Sequence, residues 1–540
     1  MKLAIMNTGG TISCAGDPLA PMSAKRFADA CRQFIDPLVA AMHPDLVLHY
    51  VEDLHFPQST TDTLDSTNIQ PSDWLHIAGY IVENYARFDG WVVLHGTDSM
   101  AFTAAALPFL LSVFDSRGIS TAALSKPIVL TGSQTPMFHR PEGATTPTGL
   151  LFNTDAFQNF CGAVAAAQTG IPEVCVYFHN RLYRGARVLK TDASRFDAFT
   201  SPNYPALAEH GVTLEVATQH IRPSPVAFEV SLDSAPARGR VAAQLAFVAE
   251  NIDKAPVMPF KAFPAWCSFP GYPHAASPAA GLIAGLIDAC VQQGVGGLIL
   301  ESYGQGNFPS GNPDHPSEGS IYRALAAADR AGVVIIDCTQ VIAGVVDNSA
   351  YAAGAWLPEV GALSPADMTP IAAFAKLTVL LAAAGHHKWS DAEVKRLVQL
   401  DLIGEMRNVS RLDSRGGAML LAGQSLTSLD GSATLINDPA AGPVLREASG
   451  KRLWQALEAA DADDMPGRLV LQNDGALVFY SRCNAPIWST DAGASGGAGS
   501  LLILEGGLET GDLALYIYDY ARGVVRGRLY PNLTSPLTRQ

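Results

Sequence analysis

Over the first 200 residues, short apolar runs rich in β-branched side chains alternate with segments of helical period. Leu3–Met6, Gly90–Leu94, Pro127–Thr131 and Val174–Tyr177 read as strands. Pro71–Ala86 and Met100–Phe114 carry apolar residues at helical spacing. Pro71 suits a first helical turn, and Pro108 is expected to kink the second helix. This alternation predicts an α/β fold with a parallel sheet, helices on both faces and ligands at the carboxyl ends of the strands.

Two of those strand ends carry unusual residues. Leu3–Met6 stops at Asn7-Thr8-Gly9-Gly10-Thr11. A glycine pair lets backbone approach a ligand closely, and a threonine on each side puts hydroxyls there. The bland alternative is a turn with solvated threonines. Trp91–Leu94 runs into His95-Gly96-Thr97-Asp98, with a helix starting at about Ser99 or Met100. A hydroxyl, a carboxylate and helix-start N–H groups converge there, suited to holding an anion. Capping by Thr97 and Asp98 would account for one of the pair and leave His-Gly without a role. A threonine nucleophile needs a base or a lowered pKa, and a desolvated lysine could serve. Spacing alone does not choose it among 36 Lys and Arg residues.

Alternation resumes near residue 256, where Val295–Leu300 and Val333–Asp337 read as strands. Thr369 and Pro370 form an N-cap and first-turn pair for a helix expected to stop at Gly385. The intervening stretch, about 201–255, contains SPNYP, RPSP and DSAPARG and reads as an interdomain connection. The expected domains are therefore 1–200, 256–405 and, after a change of texture, 413–540. That last stretch has short alternating strands broken by Asp-Gly and Gly-rich turns, an all-β module. It holds a weak repeat of roughly thirty residues: SATLIN…GKRLW, GRLVLQ…APIW and GSLLIL…ARGVV.

In 540 residues, 48% are hydrophobic and only 16% charged, which implies large buried cores. The net charge is −15 and no basic block appears, which argues against nucleic-acid binding. Eight scattered cysteines show neither zinc spacing nor a disulfide framework. Met1 leads into strand residues without a charged n-region and apolar h-region, and no apolar stretch reaches membrane-spanning length. A cytoplasmic location is the expectation.

NTGGTIS, DSTNIQPSDW, HGTDSMAFTA, KPIVLTGSQTPM, NRLYRGARVLK, ESYGQGNFP and DMTPIAAFAKL occur in that order. The series resembles the type I, cytoplasmic L-asparaginases of the bacterial asparaginase/glutaminase family, over roughly residues 1–405. The resemblance implies a two-domain fold: a large N-terminal doubly wound sheet and a smaller C-terminal α/β domain. It makes Thr11 the nucleophile that attacks the side-chain amide. Thr97, Asp98 and Lys190 match the triad that activates the nucleophile or the deacylating water. Asp65 and Ser66 match the loop that holds the substrate's α-amino and α-carboxylate groups, with Asp98 also on the amino group. Aspartate and ammonia would leave, with no metal or cofactor called for. Homodimers or homotetramers are implied, with Asn307 a candidate contribution to the neighbouring subunit's site.

Three positions depart from the family. The loop after TGGTI lacks its usual tyrosine, and Leu19 stands near that place. Thr148 stands where an aspartate is expected after the TGSQ strand, and Ile371 replaces a customary glutamate. Cys338 lies in a region that forms an effector site in some type I enzymes, though core packing also accounts for it. His386-His387 reads as solvated helix end rather than a metal pair.

LVLQNDGALVFY resembles the sugar motif of bulb-type mannose-binding lectins, a β-prism II fold of three repeats. Gln472, Asp474, Val478 and Tyr480 match it, but Ala476 replaces the asparagine that bonds the hexose. The third repeat keeps only Asp512 and Tyr516 in a distorted frame. Three function classes stand: an asparaginase with glutamine a poorer substrate, a non-catalytic amino-acid sensor, and a glycan- or partner-binding protein. Other family amidases act on tRNA-linked glutamate or combine with phospholipase activity, but no long basic surface or ankyrin repeat is present.

Overall fold

The computed structural model describes all residues except 17–18, 143, 145, 226, 265–280, 417, 491–498, 507–512, 521 and 532–540. The chain divides into two compact units, Met1–Thr218 with Glu229–Arg407, and Gln219–Phe228 with Asn408–Gln540. Asp512 lies outside the described residues.

The first unit is built on an eight-stranded sheet. In chain order its strands are β1 (Lys2–Asn7), β2 (Val47–Val51), β3 (Gly90–Leu94), β4 (Ile128–Thr131), β5 (Val174–Phe178), β6 (Arg181–Arg184), β7 (Ala208–His210) and β8 (Leu214–Val216). Their spatial order is β8-β7-β6-β5-β4-β3-β1-β2. From β2 to β5 neighbours run parallel, as expected. The other edge is antiparallel, which the parallel expectation missed, so the sheet is mixed. A two-residue turn at His179-Asn180, both at positive φ, reverses the chain there. Strands β1 and β3 are buried along nearly their whole length, which explains their uninterrupted apolar runs. Residues 201–255, read as a connection, carry β7, β8 and a 17-residue helix, Ala235–Asn251.

The same unit contains the helices α1 (Pro71–Glu83), α2 (Met100–Leu110) and α3 (Ala156–Ala167). Pro108 falls in the last turn of α2, which ends two residues on.

The second sheet is parallel, in the order β9 (Val257–Lys261), β10 (Gly297–Ser302), β11 (Val334–Thr339) and β12 (Ala362–Leu363). Helix α4 (Pro370–His387) begins as expected, with the Thr369 side chain accepting from the Ala372 N–H. It does not stop at Gly385. Lys388 takes the left-handed conformation instead, at φ 57°, and the Trp389 N–H closes onto Ala384 O. The missing Cβ at Gly385 serves packing: a Cβ there would lie 2.9 Å from Phe247 Cζ. His387 is half-buried rather than fully solvated. It bonds Gln244 Oε1 at 2.7 Å and stacks on Trp389, and burial pushes its imidazole down to about 4. Cys338 is fully buried in β11, where burial pushes its thiol up.

The second unit holds three four-stranded sheets. All their strand pairs are antiparallel. Each contains one meander matching one sequence repeat: Ala433–Gln455, Arg468–Ser489 and Ser500–Tyr530. Leu435, Leu445, Leu469, Phe479, Leu502 and Ile517 from the three meanders share one apolar core.

Candidate active site

Strand β1 sits between β2 and β3, so the connections β1-to-β2 and β2-to-β3 place successive strands on opposite sides of it. A crevice opens at such a reversal, beyond the carboxyl ends of the strands. TGGT leaves β1 and HGTD leaves β3 at that place. Gly10 adopts φ 83° and ψ 173°, a region open essentially to glycine. A Cβ on Gly10 would fall 2.2 Å from Gly96 Cα, and a Cβ on Gly96 would fall 2.3 Å from Ser66 Oγ. Three loops therefore interlock through backbone that admits no side chain. Leu64 N donates to Thr8 O at 2.8 Å, and Ser99 Oγ donates to Ser66 O at 2.6 Å, fixing the third loop to the other two.

Thr11 opens a short 3-10 turn, Thr11–Ser13. The Gly10 carbonyl accepts from Ser13 N, Ser13 Oγ and Cys14 Sγ, which tightens that turn. Among the described residues, nothing bonds the Thr11 hydroxyl. On the HGTD side, Lys190 Nζ lies 2.9 Å from Thr97 Oγ1 and 2.7 Å from Asp98 Oδ1. Thr97 is buried, whereas the Asp98 side chain is 65% exposed and so open to a ligand. Asp65 Oδ1 accepts from Thr67 N and Thr67 Oγ1, capping the Ser66–Asn68 turn. Burial, then the charge of Asp65, pushes the Cys14 thiol up to about 11.

The loops that carry Thr11, Ser66 and Thr97 thus meet through Gly10 and Gly96, and Lys190 reaches both Thr97 and Asp98. Asn307 lies on the loop after β10 and exchanges backbone hydrogen bonds with Tyr303. Leu19 is exposed near the tip of a hairpin, Cys14–Ala15 with Ala20–Pro21, that comes after TGGT.

Sequence reasoning missed two supports. An aspartate does serve the loop after β4, but from Asp155 rather than position 148. Its carboxylate accepts from Gln134 N at 2.9 Å, Thr135 N at 3.1 Å and Thr135 Oγ1 at 3.0 Å. Asn159, one helical turn on, donates to Gly132 O at 3.0 Å. Thr148 meanwhile pairs with His139 O on an exposed hairpin. The signal was an aspartate just before the apolar period of α3. The second support is His95, fully buried.

In the second unit, Gln472 Nε2 donates to Tyr480 Oη at 2.6 Å, and Asp474 Oδ1 accepts from Ala476 N at 2.9 Å. The three matched polar residues share one hairpin, and Ala476 is buried. Among the described residues, no group of three or more His, Cys, Asp or Glu side chains could hold a metal ion. No helix there is long and apolar enough to cross a membrane.

The chain is similar to known proteins over most of its length. The family model "Asparaginase, N-terminal" matches residues 2–222, and "Glutaminase/Asparaginase C-terminal domain" matches residues 278–396. L-asparaginase 1 of Escherichia coli is 31% identical over 364 residues, which span 67% of this chain and 85% of that protein. The 60 kDa lysophospholipase of Mus musculus is 32% identical over 343 residues, 63% of this chain and 49% of its own length. This chain therefore spans about half the length of that relative. Among solved structures, L-asparaginase I from Vibrio cholerae aligns with a TM-score of 0.53 at 30% identity, covering 75% of this chain and 99% of that one.

Proposed function

The chain belongs to the asparaginase family, and from that premise we propose that it hydrolyses L-asparagine to L-aspartate and ammonia, with glutamine a poorer substrate. Thr11 Oγ attacks the side-chain amide carbon, and the carbonyl electron pair moves onto oxygen. The hydroxyl proton passes to the departing nitrogen, the C–N bond breaks and ammonia leaves. Water then attacks the aspartyl ester, restoring the Thr11 hydroxyl and releasing aspartate. Lys190, through Thr97, accepts and returns the proton in these steps. Asp98 and Asp65 receive the substrate's ammonium, and donors around Ser66 receive its α-carboxylate.

One observation supports this reading most: Gly10, next to Thr11, packs against Gly96, next to Thr97, whose hydroxyl and the Asp98 carboxylate both bond Lys190. Ammonia release from asparagine tests it. Wild-type protein should exceed Thr11→Ala by about 10³-fold or more; equal rates would end the proposal. In a homodimer or homotetramer, Asn307 would reach the neighbouring subunit's crevice, and a cytoplasmic setting suits the enzyme.

A second reading concerns the 413–540 module: a bulb-lectin-like β-prism binding mannose through Gln472, Asp474 and Tyr480. The Gln472–Tyr480 hydrogen bond and the three repeated meanders favour it. Retention on immobilised mannose that is lost in Gln472→Ala would support it, and no retention of wild type would remove it.

A further inference from the structure

Strand β1 ends on Asn7, a residue to which the acyl and proton transfers give no part. Its Oδ1 accepts from the Gly9 N–H at 3.0 Å, in a hydrogen bond buried from solvent. An asparagine that accepts from the backbone two residues on closes a local turn. Asn7 is only 5% exposed, and its Nδ2 is buried with no acceptor among the described residues. A buried donor without an acceptor costs stability. A residue kept here for stability alone would not carry one, so what Asn7 contributes is its acceptor. Aspartate would supply the same acceptor only by burying a charge.

The turn needs that acceptor because of its own glycines. Gly9 stands at φ 118° and Gly10 at φ 83°, and glycine has more backbone freedom to lose than any other residue. Before Gly9 the chain is held by two other loops and strands. Thr8 N donates to Leu94 O at 2.9 Å, and Thr8 O accepts from Leu64 N at 2.8 Å. After it, the Gly10 carbonyl accepts from Ser13 N at 3.0 Å. Between those anchors the Gly9 N–H is fixed by the Asn7 side chain, two residues ahead of Thr11. A group set in the buried strand therefore restrains the middle of the glycine pair.

We propose that Asn7 is a positioning residue whose Oδ1, through Gly9, holds the turn in the conformation that presents the Thr11 hydroxyl to the amide carbon. The inference rests on the threonine-nucleophile reading. An asparagine that merely closes the strand would affect stability and leave the chemical step alone.

The test measures kcat, KM and thermal midpoint for wild type, Thr11→Ala, Asn7→Ala and Asn7→Ser. Alanine and serine leave nearly the same space behind and differ by one oxygen, so comparing them cancels the effect of the cavity. A reacting group misplaced by about 1 Å can cost about 10²-fold. Asn7→Ala should therefore lower kcat by about 10-fold to 10²-fold while KM changes by less than about threefold. A serine hydroxyl closes the same turn more weakly, so Asn7→Ser should return to within about fivefold of wild type. A folded Asn7→Ala with wild-type kcat, equal kcat losses in the Ala and Ser variants, or a change in KM alone would overturn the inference. Should Asn7→Ala not fold, Asn7→Leu, which fills the space without an acceptor, takes its place, and its kcat against that of Asn7→Ser decides. Wild-type activity no greater than Thr11→Ala would instead bring down the nucleophile reading, and the positioning role with it.

Discussion

Gly10 packs against Gly96 so closely that a Cβ built on the first would fall 2.2 Å from the Cα of the second. This contact joins the ends of two neighbouring strands without an intervening side chain. Gly10→Ala therefore meets two penalties, the glycine-only φ and ψ and the clash. Each is worth about 1–3 kcal/mol. We expect at least about 2 kcal/mol lost in urea unfolding, with ammonia release falling further than stability explains. An Ala variant as stable and active as wild type would contradict the interlocked site.

Lys190 Nζ is 2.9 Å from Thr97 Oγ1, close enough to exchange a proton with it. Lys190→Met should lower kcat by about 10²–10⁴, the span of one general acid/base group. Lys190→Arg should not rescue it, because a guanidinium stays protonated and cannot act as a base. Single-turnover rates with asparagine check both. Recovery in the Arg variant would mean that Lys190 supplies charge alone.

Asp337 gives a pH prediction in the second sheet. It is fully buried, bonded to Ser302 Oγ and, at 2.7 Å, to Asn348 Nδ2, and burial pushes its carboxyl up to about 7. A raised folded-state pKa favours the protonated form in the native state. Its contribution is complete below the unfolded value near 3.8 and is lost as pH rises to about 7. The upper bound of that loss is about 4 kcal/mol. Asp337→Asn, which cannot ionise, should flatten this part of the stability profile. Urea midpoints at pH 5 and pH 8 for both proteins decide it; parallel changes would refute the assignment.

The strand ends were legible because parallel strands buried on both faces leave continuous apolar runs, and TGGT and HGTD interrupt them abruptly. Lys190 was not legible from spacing. It reaches Thr97 across 93 residues, and only the family resemblance singled it out. The antiparallel edge was hidden because β6 reads Arg-Leu-Tyr-Arg, without a clean apolar run. Asp155 was overlooked because its partners at Gln134 and Thr135 lie about twenty residues upstream. Gly385 looked like a helix stop, but its missing Cβ makes room for Phe247, a contact no local pattern encodes.

Lys376 and Glu405 form an ion pair at 2.6 Å in which both side chains are wholly buried. Desolvation alone would disfavour both charges, and it pushes Lys376 down. Glu405 nevertheless stays ionised near pH 7. The ammonium faces it, Leu402 N and Ile403 N donate to it, and its carboxyl is held down to about 2. Lys376 in turn donates to Val398 O and Leu400 O, tying α4 to the segment beyond it. Lys376→Met would strand a carboxylate in the core, at about 3–5 kcal/mol. Adding Glu405→Gln removes that charge while keeping an acceptor for the two N–H groups. The double variant should therefore recover much of the loss instead of summing two losses. In wild type this stabilisation, present above the unfolded pKa near 4.5, should vanish as pH falls to about 2. A double-mutant cycle in urea measures the coupling, and additive losses would show that the two charges do not act as a pair.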